Sequence, residues 1–181
     1  MAGYRDASNL EQLDNDFDAS TPCTVARRAS VAQGKALLSL YERSFKEVCG
    51  NEDSSIAVRA IVEFQALLKQ PALKFGGLPP NGHYAPLWGV FTRALSLPEH
   101  EAAYLFIFSH MRTVTSAAVR ASVLGPYQAQ GILASDDLRK QINALVTEFW
   151  HTSVEDAGQT VPAMDLWVGR HEMLYSRIFN S

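Results

Sequence analysis

The run AAYLFIFSHMRTVTSAAVRASVLG, from Ala102 to Gly125, constrains this chain more than any other stretch. Tyr104 to Phe108 is apolar almost all round. Met111, Val114, Ala117, Ala118, Val119, Ala121 and Leu124 carry that character onward. A helix apolar on most sides is normally buried. Its polar residues Ser109, Arg112, Ser116 and Arg120 recur at steps of three and four, so they share one face. The small residues Ser116, Ala117, Ala118 and Ala121 admit close approach by neighbouring helices. Pro98 suits a first helical turn after Ser96, and Gly125-Pro126 is a stop signal. The expectation is one long central helix, about residues 98–124, with a polar stripe and the other helices packed around it.

The rest of the chain supports an all-α class and a single-domain helical bundle. Residues 1–20 read as a loosely ordered N-terminal segment, with a short helix over Asn9 to Phe17. Ser20-Thr21-Pro22 is a break, and the main domain is expected over 21–181. Val25, Ala29, Ala32, Ala36 and Leu40 follow helical spacing between Thr24 and about Val48. Ala57, Ala60, Ile61, Phe64, Leu67 and Leu68 form a second stripe between Ile56 and Lys69. QPALKFGGLPPNG, residues 70–82, forbids regular structure through its glycines and prolines. A short helix over Pro86 to Leu95 turns Leu87, Val90, Phe91 and Ala94 inward. Pro126 to Leu133 makes a turn or two. Ser135 caps a helix over Asp136 to Trp150, with Leu138, Ile142, Leu145, Val146 and Phe149 on one side. Pro162 opens a last segment from Met164 to about Tyr175. No stretch alternates strictly enough to be a strand.

Several function classes lose support from composition. The net charge is −3, which argues against a dedicated nucleic-acid binder. No run of about 18 uncharged apolar residues offers a membrane span. The first residues lack the basic and apolar regions of a secretory signal. Cys23 and Cys49 make no CxxC pair, so reduced thiols in the cytoplasm are the default. The five histidines, at 83, 100, 110, 151 and 171, form no metal-ligand spacing. His171-Glu172 opens like HExxH, but Tyr175 stands where the second histidine belongs. There is no Walker loop, GxGxxG or GxSxG.

Three features stay open on the residues alone. The stripe Arg112–Ser116–Arg120 is either the solvated edge of a buried helix or a partner contact, where arginine is enriched. Gly82-His83 is either a functional loop or a plain turn. The last residues, RHEMLYSRIFNS, are too apolar for a free tail and must dock, on their own domain or on a partner.

Four segments together carry a resemblance. ARRASVAQGKALL (26–38), GHYAPLWGVFTRAL (82–95), SHMRTVTSAAVRASVLGPYQAQGIL (109–133) and RHEMLYSRIFNS (170–181) resemble the UreF family of urease accessory proteins in residues, order and spacing. The likeness covers nearly all of the chain from about residue 20. The family's motif positions fall on Gln33, Gly34, Gly82, His83, Arg112, Ser116, Arg120, Gly125, Gln128, His171, Glu172, Tyr175, Ser176, Arg177 and Phe179. Gly125 apart, these are the residues expected to bind partners. One departure stands out. Family members begin with a longer helical segment bearing a proline- and glycine-rich motif, whereas here Met1 lies shortly before the helix holding Gln33-Gly34. Gly76-Gly77-Leu78-Pro79 lies downstream of that motif's place. A shortened, fragmentary or divergent form is therefore expected.

The resemblance implies an all-α, non-enzymatic, cytoplasmic homodimer. It implies an adaptor or chaperone between the UreD/UreH scaffold and the UreG GTPase, serving nickel insertion into apo-urease and able to modulate the GTPase. It implies no stably bound cofactor, nickel being handled transiently by the assembled complex. No catalytic residue, resident metal ligand, nucleic-acid partner or membrane partner is expected. Two other readings remain: a small helical enzyme using His83 or His110 as acid or base, and a generic helical interaction module.

Overall fold

A computed structural model describes residues 7–49, 55–70, 79–158 and 163–174. Among them every regular element is helical, as the sequence leads one to expect. The helices are α1 (Ala7–Ser20), α2 (Thr24–Leu40), α3 (Ser55–Leu68), α4 (Tyr84–Ala94), α5 (Glu99–Arg120), α6 (Pro126–Leu133), α7 (Asp136–Glu148) and α8 (Ala163–Val168). A π-helical turn, Tyr41–Phe45, prolongs α2, and a 3₁₀ turn, His171–Met173, follows α8. No described helix is long and apolar enough to cross a membrane.

The chain divides into two compact units. The first comprises Met1–Pro98 with Ala163–Met173, and the second Glu99–Pro162 with Leu174–Asn180. The core of the first unit is made where α2, α3 and α4 meet α1. Leu10, Leu37, Leu38, Tyr41, Ala57, Ala60, Ile61, Phe64, Leu87, Val90, Phe91 and Ala94 are buried together there. On α4 the inward residues are those the spacing names: Leu87, Val90, Phe91 and Ala94. On α3, Ala57, Ala60, Ile61 and Phe64 fill the same core. The π turn places Tyr41 and Phe45 edge-on to Phe91, with ring centroids 6.5 and 5.5 Å apart. Widened turns of this kind shift side-chain direction within a helix.

Two expectations change here. Over residues 7–20 the N-terminus is not loose: it is helix α1, with Leu10 and Asp14 wholly buried. On α2 the alanine stripe is not the buried face. Val25 of that stripe is buried, but Ala32, Ala36 and Leu40 are exposed, and Gly34, Leu37 and Leu38 are buried in their place. The buried face is set by the closest packing point, Gly34, and not by the run of alanines.

The second unit holds the long helix, α5, which packs with α6 and α7. Leu138, Ile142 and Val146 of α7 are its buried centre, against Ala103, Tyr104, Ile107, Phe108 and Met111 of α5. The expectation of a deeply buried helix is corrected. Only Ala102 and Thr115 of α5 are buried, while Leu105 and Val114 are exposed. Leu145 on α7 and Phe149 just after it are likewise exposed. Within this unit the two shorter helices α6 and α7 present too little surface to cover α5 on all sides, so an apolar composition did not translate into burial.

α5 also stops earlier than Gly125-Pro126 suggests. Ser122 has φ 59°, its N–H donates to Val119 O (3.0 Å), and the Val123 N–H donates to Ala118 O (2.9 Å). This is a Schellman stop with serine in the left-handed place usually taken by glycine. Ser96 repeats it after α4: φ is 57°, with bonds from Ser96 N to Arg93 O (2.9 Å) and from Leu97 N to Thr92 O (3.0 Å). A side chain in that region is strained. Ser96→Gly should therefore raise the unfolding free energy by about 1 kcal/mol, read as a higher urea midpoint at an unchanged slope. An unchanged midpoint would show that serine carries no strain there.

Candidate functional site

α1 carries two carboxylates one turn apart, Asp14 and Asp18, and α2 carries Ser30 and Gly34 at the same step. Between these helices runs the segment that leads into α4. Asp14 is fully buried and accepts three backbone N–H bonds: from Asn81 (2.6 Å), Gly82 (3.0 and 3.1 Å to its two oxygens) and His83 (2.6 Å). Those amides sit just before α4, where unpaired N–H groups and the helix dipole favour an anion. Gly82 has φ +83°, a conformation that suits glycine.

Gly34 brings α2 against this segment. A Cβ there would lie 2.1 Å from Gly82 O and 2.9 Å from His83 C, both backbone atoms. Neither can swing aside, so the glycine is a condition of the packing.

His83 is fully buried, its ring 5.0 Å from that of Phe17. Nδ1 lies 3.1 Å from Ser30 Oγ, and Nε2 lies 3.0 Å from Asp18 Oδ1. Ser30 Oγ accepts the Tyr84 N–H at 3.2 Å. The serine hydroxyl is then free to donate to Nδ1, and Nε2–H donates to Asp18. This bonding pattern assigns the tautomer and employs both ring nitrogens. Asp18 is held from the other side by the Arg27 guanidinium, Nε donating at 2.9 Å and a terminal nitrogen to the second oxygen. Burial raises the Asp18 pKa, but the bonds from Arg27 and His83 outweigh it and hold it below the ordinary carboxylate value.

A second cluster lies at the start of α2. Cys23 is the N-cap, its sulfur accepting the Ala26 N–H at 3.4 Å, and His171 Nδ1 lies 3.5 Å from the same sulfur. Glu172 accepts from Thr24 Oγ1 at 2.9 Å and from Arg28 at 3.0 and 2.8 Å, one bond to each oxygen from the guanidinium nitrogen. His171 and Glu172 thus dock on their own unit. Beside them runs an open groove lined by Asp18, Thr24, Arg27, Arg28, Val31, Ala32, Lys35 and Asn81.

The residues singled out in the sequence therefore scatter. Gly34, Gly82 and His83 come together, but in the interior, and Gln33 is exposed beside them on α2. Arg112, Ser116 and Arg120 share an exposed face of α5 in the second unit. Gln128 is also exposed, and its side-chain oxygen accepts the Gly125 N–H at 3.1 Å, a cap on α6. Tyr175, Ser176, Arg177 and Phe179 lie outside the described residues. Among the described residues no group of three or more metal-ligating side chains occurs. Sequence reading passed over Asp14, Asp18, Arg27, Ser30, Thr24 and Arg28. The only available signal was Asp14 and Asp18 at helical spacing on either side of Phe17.

Two predictions follow from this geometry. Gly34→Ala should cost at least about 1–3 kcal/mol, the usual penalty of overpacking, measured by urea unfolding; an unaltered midpoint would mean that the segment yields. Asp18 is ionised more readily in the folded state than in the unfolded chain. Its contribution is thus complete above the ordinary carboxylate value of 3.8 and fades as pH falls through the lower folded value. The stability gap between wild type and Asp18→Asn should be constant at neutral pH and narrow below about pH 4. A gap unchanged down to pH 3 would contradict the pairing.

Comparison with known proteins adds an independent line. The family model described as UreF matches residues 1–135. The chain is 30% identical over 180 residues to a Schizosaccharomyces pombe protein described as an uncharacterized urease accessory protein UreF-like, covering 99% of this chain and 72% of the relative. It is 29% identical over 210 residues to urease accessory protein 6 of Cryptococcus neoformans, covering 95% and 63%. It is 28% identical over 174 residues to urease accessory protein F of Oryza sativa, covering 96% and 60%. The chain thus spans less than two thirds of the length of the second and third of these relatives.

Proposed function

This chain belongs to the UreF family, and from that membership we propose that it is a urease-maturation adaptor with no catalytic step of its own. It joins a UreD/UreH-type scaffold to a UreG-type GTPase, works in the cytoplasm as a homodimer, and modulates the GTPase by contact. Nickel is the cargo of the assembled complex, handled transiently.

The observation that carries this reading is the family match across most of the chain, together with relatives named as urease accessory proteins. The surface agrees with a binding role. Arg112, Ser116 and Arg120 stand exposed along one face of α5. Large apolar side chains, among them Tyr127, Leu166 and Trp167, are also exposed. Exposed arginine and aromatic residues are what protein interfaces favour. The enzyme reading loses its first candidate base, because His83 is sealed and both its ring nitrogens have partners.

The test is affinity recovery of the tagged chain co-expressed with a UreD-type scaffold and a UreG-type GTPase, with the dimer read by light scattering. Both partners should be retained. The double variant Arg112→Ala, Arg120→Ala should reduce recovery about tenfold or more if the α5 stripe is a hot spot, with circular dichroism unchanged. Recovery of neither partner by the wild-type chain would overturn the adaptor role. Full recovery by the double variant would remove the stripe from the interface.

A further inference from the structure

The groove along α2 is a cationic surface on a chain whose net charge is −3. Arg27, Arg28 and Lys35 face Asp18 as the one carboxylate among its lining residues, and Val31 and Ala32 give it an apolar strip. The three cations stand in different conditions. Arg27 is committed to Asp18. Arg28 holds Glu172 in a pair half-open to water, with side-chain exposures of 57% and 47%. Lys35 is exposed and has no acidic partner among the described residues.

We propose that this groove docks an acidic segment of a partner protein, and that Glu172 is an internal latch occupying one of its two carboxylate positions. Glu172 itself shows what the site takes. Its carboxylate receives the Arg28 guanidinium and the Thr24 hydroxyl together. A partner carboxylate takes that place and frees the 171–173 turn, while a second one reaches Lys35. Arg28 and Lys35 are two helical turns apart, about 10 Å at 1.5 Å per residue. The occupant therefore carries two carboxylates about 10 Å apart, with apolar side chains between them for Val31 and Ala32. That spacing is met by positions seven apart on a helix. A protein segment fits better than a nucleic acid, because the strip between the two positions is apolar and the chain as a whole is acidic. The inference stands on this groove alone and does not depend on the urease assignment.

Exchange of one exposed carboxylate for another is nearly balanced, since such pairs are individually weak. Removing the latch should therefore favour the partner visibly but modestly. The probe is a fluorescein-labelled helical peptide with glutamates at its first and eighth positions and leucines at the fourth and fifth. Binding is read by fluorescence anisotropy on the full chain at low salt. The latch predicts that Glu172→Gln tightens binding about two- to fivefold. Arg28→Ala and Lys35→Ala should each weaken it, and Glu172→Gln should have no effect once Arg28 is alanine. Circular dichroism checks that each variant is folded, which all three surface changes should permit. The proposal is overturned if Glu172→Gln binds no better than wild type, or if a peptide with glutamine at both positions binds as well. Equal binding of a single-stranded RNA of matched charge would also overturn it, in favour of unspecific electrostatics.

Discussion

The first unit hangs on one buried carboxylate. Asp14 is fully buried and meets three backbone N–H groups of the segment entering α4. A carboxylate in such a place is costly unless its oxygens are fully bonded. The three amides in turn need an acceptor inside the fold. Each side of this arrangement solves the other's problem, and the solution fixes α1 against α4. The approach of Gly34 to Gly82 O and the bonds from His83 to Ser30 and Asp18 then bring α2 to the same point.

This arrangement separates inward from outward roles within a short stretch of sequence. α2 turns Gly34, Leu37 and Leu38 to the core and leaves Arg28 and Lys35 at the surface. Gly82 and His83 look like a functional loop because glycine and histidine often are one. Here they are spent on the fold: the backbone is fixed by Asp14 and the imidazole by a serine and a carboxylate. Within this unit the pinned core leaves the α2 groove at the surface, with Arg28 and Lys35 exposed along it.

Helical periodicity carried much of the fold. The inward residues of α3 and α4 were legible because both helices are short, strongly patterned and packed on one side. α2 was misjudged because its alanines mark a face without large side chains, and burial followed the glycine instead. α5 is less buried than its composition suggests because composition reports what a helix would bury given enough neighbours, whereas α6 and α7 are only two and shorter. Asp14 and Asp18 were invisible for a different reason. Asp14 is bonded by backbone amides far along the chain, and Asp18 by the side chains of His83 and the nearer Arg27, and nothing in a local pattern announces either arrangement. The family resemblance did single out Gly34, Gly82 and His83, which the structure brings to one place; it could not tell packing from binding.

Amide hydrogen exchange of the full chain, resolved by residue, tests the pin most directly. Bonded to a buried carboxylate, the Gly82 and His83 amides should exchange as slowly as those of the α3 core around Phe64, through global unfolding alone. In Asp14→Asn they should exchange much faster than the α3 amides. Rapid exchange of Gly82 and His83 in the wild-type chain would contradict the claim that Asp14 holds this fold together.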